Sequence, residues 1–174
     1  MPDTLPYCGD GLHIEPAAPL ARFVLQARPE TLAAARAALG LTAPPGASRA
    51  ATVGTVTVLH LGPEEYWLFT APANGASLAA SLANTLVARP HSLVDITDRQ
   101  TALTLQGPRA ALVLSGFCPL DLASTEPGFC TRTVLAKADS MLWRTGPERW
   151  HLETANSLAP YAIRLLLDEA RSPL

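Results

Sequence analysis

Lysine, and charged residues in general, are scarce in this chain. Lys137 is the only lysine among 174 residues, charged residues make up 16% of the chain, and the formal net charge is −2. Lys and Arg form no cluster, so the chain lacks the basic patch with which proteins bind nucleic acid. A weakly charged chain with 48% apolar residues indicates one of two things. Either partner proteins cover part of its surface, or a GC-rich genome has favoured Ala, Arg and Pro.

Cysteines are also few, and long apolar runs are missing. Cys8, Cys118 and Cys130 are an odd number at irregular spacing, which is typical of a reduced, cytosolic protein rather than a disulfide-stabilised one. The first residues lack the basic start and apolar centre of a signal peptide. Apolar helical stretches are interrupted well before the roughly 20 residues that a membrane span requires. We therefore expect a cytoplasmic protein that does not cross a membrane.

Motifs for metal binding and catalysis are missing as well. The chain contains no phosphate-binding loop, no dinucleotide-binding fingerprint and no Ser-His-Asp spacing. No two histidines are four residues apart, and none is placed with a cysteine at metal-ligand spacing. We therefore expect neither a metal site nor a catalytic residue. The histidines concerned are His13, His60, His91 and His151.

Two residues have a chemical interpretation beside a structural one. Cys118 precedes Pro119 in a predicted loop and is either a nucleophile or a buried thiol. A nucleophilic thiol needs a histidine or a helix N-terminus nearby, and the sequence supplies neither. Asp121 is either a general base or a turn former whose side chain bonds nearby backbone. In both cases the structural role is the commoner one.

What the chain does contain is a pair of recurring patterns. Gly62-Pro63-Glu64, followed by an aromatic-centred pair, recurs as Gly146-Pro147-Glu148, 84 positions later (146 − 62). Phe-Val-Leu-Gln at 23–26 is matched by Leu-Thr-Leu-Gln at 103–106, 80 positions later (106 − 26). Two patterns that recur after nearly the same number of positions predict two copies of a structural unit of roughly 80 residues.

The repeat and the proline distribution predict the organisation of the chain. Residues 1–20 contain four prolines and no periodic pattern, so we expect an extended N-terminal arm that lies against something else. The first repeat unit covers 21–97 and the second 98–174. Because each unit mixes hairpins with helices, we predict an α+β fold of two repeated strand-helix-strand-strand-helix units, rather than a doubly wound parallel sheet.

The first unit has clear signals for each element. Pro29 suits the first turn of a helix that Gly40 ends, Asn74 is expected to cap the second helix, and Pro90 to stop it. Alternating β-branched and aromatic residues indicate strands on both sides of the Gly62-Pro63-Glu64 turn. The predicted elements are strands over 22–26, 53–61, 65–70 and 92–97, helices over 29–39 and 74–88, and a loop over 42–48.

The second unit has the same order with a longer loop. Asn156 or Ser157 is expected to cap its last helix, with Pro160 in the first turn and an apolar stripe on one face. That stripe is Leu158, Tyr161, Ala162, Leu165 and Leu166. The predicted elements are strands over 101–106, 130–135, 140–144 and 149–153, helices from 107 to 116 and from about 158, and a loop over 118–128.

Five motifs between Val94 and Gly146 resemble the gamma subunit family of heterotetrameric sarcosine oxidase, a resemblance that spans about Ser92 to the C-terminus and extends more weakly into the first unit. The most specific are the Cys-Pro-Leu-Asp-Leu and Cys-Thr-Arg-Thr motifs, in that order. Their positions mark the family, with no role assigned: Cys118, Pro119, Leu120, Asp121, Leu122, Cys130, Thr131, Arg132 and Thr133. The other motifs are Val94-Asp95-Ile96-Thr97-Asp98-Arg99, Leu105-Gln106-Gly107-Pro108 and Trp143-Arg144-Thr145-Gly146.

The resemblance implies a fold, an assembly and a limited role. The fold is that of the folate-binding domain of the glycine-cleavage aminomethyltransferase, an internally duplicated, ferredoxin-like α+β domain. The assembly oxidatively demethylates sarcosine to glycine in sarcosine catabolism. The partners are the alpha, beta and delta subunits, which hold FAD, FMN, NAD, tetrahydrofolate and zinc. The gamma chain is implied to be a noncatalytic companion without a cofactor of its own.

Two alternatives remain beside this hypothesis. One is an independent folate-binding, aminomethyltransferase-like protein, although the chain lacks the acidic strand turn of the aminomethyltransferases. The other is the equivalent subunit of a related N-methyl amino acid dehydrogenase, which differs only in its substrate.

Overall fold

The chain forms two compact units, and its N-terminal residues do not belong to the unit that follows them. The computed structural model describes residues 5–41 and 46–172. One unit is Pro19–Asp98, which we call the inserted unit. The other combines the described parts of Met1–Ala18 and Arg99–Leu174, which we call the terminal unit. The loop predicted over 42–48 lies partly outside the described residues.

Both units combine an antiparallel sheet with two helices, which confirms the α+β prediction. The strands are β1 Tyr7–Gly9, β2 Leu12–Pro16, β3 Ala21–Ala27, β4 Ala50–Val53, β5 Val56–Gly62, β6 Glu65–Thr70, β7 His91–Asp95, β8 Gln100–Gln106, β9 Cys130–Leu135, β10 Ala138–Gly146 and β11 Arg149–Ala155. The helices are α1 Pro29–Ala38, α2 Gly75–Leu86, α3 Ala110–Ser115 and α4 Ala159–Arg171, with short 3-10 turns at Pro72–Asn74 and Thr97–Arg99.

The two sheets have closely similar strand orders. In the inserted unit the order is β4-β5-β6-β3-β7, and in the terminal unit it is β9-β10-β11-β8-β2-β1. Neighbouring strands are antiparallel throughout both described sheets. The position that β7 takes beside β3 is taken beside β8 by β2, which comes from the N-terminal segment.

The N-terminal segment is a hairpin that completes the terminal sheet. Its two strands are joined by Asp10 and Gly11, both with positive φ, in the Asp-Gly sequence that two-residue hairpin turns favour. Leu12 and Ile14 are 3% and 0% exposed, so this strand contributes alternate residues to the core. The sequence predicts only an extended arm over residues 1–20, because two short strands with flanking prolines give too few residues for a period-2 pattern.

The recurring Gly-Pro-Glu sequences form equivalent hairpin turns, as predicted. Gly62 pairs with Glu65 across a two-residue loop, and Gly146 pairs with Arg149 in the same way, each beside a bulge in the register. The strand predicted over 53–61 is wrong at its start. A turn with Gly54 at φ +53° divides it into β4 and β5, because glycine adopts this conformation readily.

The first helix of the inserted unit ends as its sequence predicts. Gly40 has φ +78°, and its N–H donates to the Ala37 carbonyl at 3.0 Å while the Leu41 N–H donates to the Arg36 carbonyl at 2.9 Å. This pair of hydrogen bonds is a Schellman motif, which satisfies carbonyls that the helix leaves open.

Predicted side-chain caps are the main error in the helices. Asn74 and Leu158 occupy the N-cap positions of α2 and α4, and neither makes a side-chain capping hydrogen bond. A 3-10 turn leads into α2, so Asn74 already has helical dihedral angles, whereas a capping side chain needs an extended backbone. Asn156 and Ser157 lie before the start of α4.

The buried stripe of the last helix is displaced from its predicted position. Tyr161 is 38% exposed, whereas the buried residues are Ala159, Ala162, Leu166, Leu167 and Ala170. Three of these are alanines, whose small side chains let a helix approach a sheet closely. In α2 the predicted stripe of Leu78, Leu82 and Leu86 is buried as expected.

Gly107, at the end of β8, lies where no larger residue fits. Its φ is +122°, and a Cβ atom built there would lie 2.0 Å from the carbonyl oxygen of Gly11 in the N-terminal hairpin. The separation is far below van der Waals contact and the obstacle is backbone, so a side chain would push the hairpin away from β8. Close docking of β2 therefore depends on this glycine.

We expect Gly107→Ala to lower the free energy of unfolding by about 3 kcal/mol, because it adds backbone strain and a clash at once. Gly54→Ala is the matched control: φ is +53° and open space surrounds its Cβ position, so only the strain of about 1 kcal/mol applies. Urea denaturation of both variants measures the difference. Equal losses would contradict the close docking of β2.

Candidate functional site

The residues that mark the family resemblance lie in the terminal unit, and the structure brings their two segments together. Cys118 follows α3, and its Sγ lies 3.4 Å from the hydroxyl oxygen of Thr133 on β9. The N–H of Ala136 also donates to the carbonyl of Phe117 at 2.9 Å. Both contacts fasten the start of residues 116–129, which we call the connecting loop, to the β9–β10 hairpin.

Within the connecting loop the family-marking residues fill the core and shape a turn. Leu122 is 0% exposed, and Leu120 packs against the same core cluster. Asp121 is exposed, and its Oδ1 accepts a hydrogen bond of 3.4 Å from the N–H of Ser124, whose hydroxyl donates to the Asp121 carbonyl at 2.9 Å. Asp121 therefore has the contacts of a turn former rather than those of a general base.

The second segment, Cys-Thr-Arg-Thr, begins β9. Cys130 is 0% exposed and is the register partner of Trp143 on β10. Thr131 and Thr133 are half-buried while Arg132 is exposed, and the Thr131 hydroxyl donates to the Arg132 carbonyl at 3.1 Å. This part of the motif is a sheet strand with one buried thiol.

Arg144 on β10 holds the connecting loop against the β10–β11 hairpin. Its guanidinium donates to the carbonyl of Thr125, to the Thr125 hydroxyl at 3.3 Å and to the carbonyl of Leu122 at 3.5 Å. It also donates to the carbonyl of Pro147 in the hairpin turn and lies 5.2 Å from the ring centroid of Trp150. The planar fork of arginine suits such a set of carbonyl acceptors, and its face stacks on the indole.

The chemistry of this arrangement is structural. Cys118 is 6% exposed and is hydrogen-bonded to a threonine hydroxyl, which does not serve as the base that a nucleophilic thiol needs. Within residues 5–41 and 46–172, no three His, Cys, Asp or Glu side chains form a group that could hold a metal ion. In the same ranges, no helix is long and apolar enough to span a membrane.

A groove of about 710 Å³ lies in the inserted unit beside the first Gly-Pro-Glu turn. Its lining carries both charge signs, with Arg28 beside Glu64 and Glu65. Glu65 is already engaged, because its carboxylate accepts hydrogen bonds of 3.1 Å from Gln26 and from the Trp67 indole. The groove therefore presents no concentrated charge to a ligand.

Two arrangements were not predicted from the sequence. Arg144 belongs to the Trp143-Arg144-Thr145-Gly146 motif, but only the folded connecting loop places carbonyl oxygens around it. Cys8 and His13 face each other across the N-terminal hairpin. The Asp10-Gly11 turn signal between them would have indicated this pairing.

We expect Arg144→Lys to lower the free energy of unfolding by about 1–2 kcal/mol, because an ammonium cannot reach the same carbonyls as a guanidinium fork. Hydrogen exchange should accelerate in the connecting loop. Arg149→Lys, on the next strand and exposed, is the control and should stay within about 0.5 kcal/mol of the wild type. Unchanged exchange in residues 116–129 would show that Arg144 does not hold the loop.

Comparison with known proteins identifies a family. The family model described as "Sarcosine oxidase, gamma subunit family" matches residues 25–172. The sarcosine oxidase subunit gamma of Corynebacterium sp. (strain P-1) is 37% identical over 121 residues, which cover 68% of this chain and 59% of the relative. The match thus spans about three fifths of the length of that curated relative.

Solved structures agree with the family match. A chain of the heterotetrameric sarcosine oxidase from Corynebacterium sp. U-96, solved with pyrrole 2-carboxylate, has a TM-score of 0.84 and 28% identity, with 97% of this chain and 91% of that chain covered. The glycine cleavage system aminomethyltransferase T from Bartonella henselae has a TM-score of 0.70 at 16% identity, with 92% of this chain and 46% of that chain covered, and shows the shared fold. On the sequence match and the structural match together, the chain belongs to the sarcosine oxidase gamma subunit family.

Proposed function

We propose that this chain is the gamma subunit of a heterotetrameric enzyme that oxidatively demethylates sarcosine to glycine. The observation that carries the proposal is the TM-score of 0.84 to a chain of a heterotetrameric sarcosine oxidase, with 91% of that chain covered. A likeness over nearly the whole of both chains supports an equivalent place in an equivalent assembly. The proposed partners are the alpha, beta and delta subunits.

The role within the assembly is noncatalytic. Several family-marking residues support this role because they make internal contacts: Leu122 in the core, Cys118 on Thr133, and Asp121 in a turn. Together with Arg144 they stabilise the connecting loop. We assign FAD, FMN, NAD, tetrahydrofolate and zinc to the partner subunits, and we place the assembly in the cytoplasm.

The two units are, in this proposal, copies of one ferredoxin-like module. Their register supports it: Gln26 pairs with Glu65 in one sheet and Gln106 with Arg149 in the other. The N–H of Ala27 donates to the Glu64 carbonyl at 3.0 Å, and that of Gly107 to the Glu148 carbonyl at 2.9 Å. In each unit, the glutamine that ends the first recurring pattern therefore pairs with the residue that follows the Gly-Pro-Glu turn, at the same register.

A second candidate function is folate binding by the chain itself, and the aminomethyltransferase fold favours it. The likeness covers 46% of the aminomethyltransferase, so about half of that protein has no counterpart here. The same observations support the equivalent subunit of an N-methyl amino acid dehydrogenase as strongly as the leading proposal, since only the substrate of the assembly differs.

Co-expression with the alpha, beta and delta chains tests the leading proposal. We expect all four chains to co-elute as one complex that consumes oxygen when sarcosine is added, and this chain alone to show no turnover. Leaving out this chain should reduce the yield of soluble flavin-loaded complex. Full yield and full activity without it would overturn the proposal, while preference for another N-methyl amino acid would favour the dehydrogenase alternative.

Calorimetry with tetrahydrofolate tests the second candidate. We expect no heat of binding from the purified full-length chain, whereas the complete complex should bind. Micromolar binding by the lone chain would establish the folate-binding alternative.

A further inference from the structure

A thiol, an imidazole and a carboxylate lie together on the N-terminal hairpin. The Sγ of Cys8 lies 2.6 Å from Nδ1 of His13, and Nε2 of the same imidazole lies 3.0 Å from Oε2 of Glu15. The thiol, imidazole and carboxylate thus form one hydrogen-bonded chain. We propose that Cys8 is an activated nucleophilic thiol, and that the hairpin is a covalent modification site for small electrophiles such as low-molecular-weight disulfides.

The backbone holds the three side chains together on the outer face of the hairpin. Cys8 and His13 are direct register partners, and Glu15 is two residues beyond His13, on the same face of β2. The intervening residues Leu12 and Ile14 point into the core and are 3% and 0% exposed. Because Leu12 and Ile14 are buried and side chains alternate along a strand, His13 and Glu15 point away from the core.

The ends of the hairpin are also anchored, so that the arrangement exists before any reagent binds. The Tyr7 hydroxyl donates to the carbonyl of Ala170 on α4 at 3.0 Å. At the turn, the carboxylate of Asp10 lies 3.7 Å from the guanidinium of Arg109, which also donates to the Ala170 carbonyl at 3.4 Å. The reacting groups therefore need no large rearrangement to meet.

The carboxylate determines which nitrogen of the imidazole acts as the base. An ionised carboxylate only accepts hydrogen bonds, so the contact of 3.0 Å between Nε2 of His13 and Oε2 of Glu15 favours the tautomer with its proton on Nε2. In the neutral ring Nδ1 is then left as the acceptor, and it faces the Cys8 thiol. This is the arrangement in which a third group orients a base toward a nucleophile.

Access distinguishes this thiol from the other two. Cys8 is exposed, whereas Cys118 and Cys130 are buried. The side chains of His13 and Glu15 are 36% and 44% exposed. A small reagent can therefore approach the sulfur while the base remains in contact with it.

The neighbouring strands place few charged groups on this face. Gln106 of β8 is the register partner of His13, and Thr104 is that of Glu15. One strand further, Arg149 pairs with Gln106 and His151 with Thr104. His151 bonds Glu153 at 2.7 Å through Nε2.

The disulfide reagent is the two-electron oxidant, so the reaction balances without any further oxidant or reductant. The Cys8 proton passes to Nδ1 of His13, and the thiolate attacks one sulfur of a disulfide RSSR. A bond forms between Sγ and that sulfur, the S–S bond of the reagent breaks, and the leaving RS⁻ takes the proton from His13 to become RSH. Cys8 is oxidised to the mixed disulfide while half of the reagent is reduced to the thiol.

The experiment measures the rate at which the full-length chain reacts with dithiodipyridine, from the ultraviolet absorbance of the thione that the reaction releases. At about pH 6, where an ordinary thiol is almost entirely protonated, we expect His13→Ala to slow the reaction about tenfold or more. The rates should converge at about pH 9 as hydroxide deprotonates the thiol in both proteins. Glu15→Ala should give a smaller decrease, and Cys8→Ser should remove the fast phase.

Two controls separate activation from unfolding. His91→Ala removes another surface histidine, whose Nδ1 lies 2.8 Å from the Arg89 carbonyl oxygen, and should leave the rate unchanged. Cys118 and Cys130 should react only after denaturant is added. Equal rates for the wild type and His13→Ala at about pH 6, or a fast adduct mapped by mass spectrometry to Cys118 or Cys130, would overturn the proposal. The test needs no partner chain, so its result is independent of the proposed assembly.

Discussion

The pairing of β2 with β8 is the contact on which the terminal unit depends. It joins Ile14 to Leu105 and Pro16 to Leu103, and the Ala17 N–H extends it by donating to the Ala102 carbonyl at 2.9 Å. Without β2, the central strand β8 would have an open edge and the core would lose Leu12 and Ile14. The same pairing brings together the two chain segments that flank the inserted unit. The N-terminal hairpin lies so close to Gly107 that no residue with a side chain fits at this position.

The sequence predicted the strand and hairpin elements well where a turn and a strand pattern reinforced each other. The Gly-Pro-Glu turns have two-residue loops at 63–64 and 147–148, and the helix stop at Gly40 has the expected positive φ. Prediction failed where local signals were weak or were overridden. Asn74 has the right composition for a cap, but the preceding 3-10 turn gives it helical angles. In α4, the buried face combines three alanines with Leu166 and Leu167, and alanine gives too weak an apolar signal to mark that face in the sequence.

The candidate site shows a different limit of sequence reasoning. The family-marking motifs were visible as residues, but their physical role arises from contacts between segments far apart in the sequence. Cys118 and Thr133 are 15 positions apart, and Arg144 reaches Thr125 across 19. No local sequence pattern predicts these hydrogen bonds, because every residue type carries a backbone carbonyl that can accept them. A loop held in this way can be long and still belong to a rigid unit.

The insertion of one unit between β2 and β8 also has a consequence for synthesis on the ribosome. Ala17 and Ala102 are 85 positions apart (102 − 17), so at roughly 5–20 residues per second the N-terminal hairpin emerges several seconds before its partner strand exists. The inserted unit is complete by Asp98 and can fold during this interval, which shortens the effective loop that β2 and β8 must close. Because β8 emerges from the ribosome after the inserted unit, the pairing of the N-terminal strand β2 with β8 is a late step in the assembly of the terminal sheet.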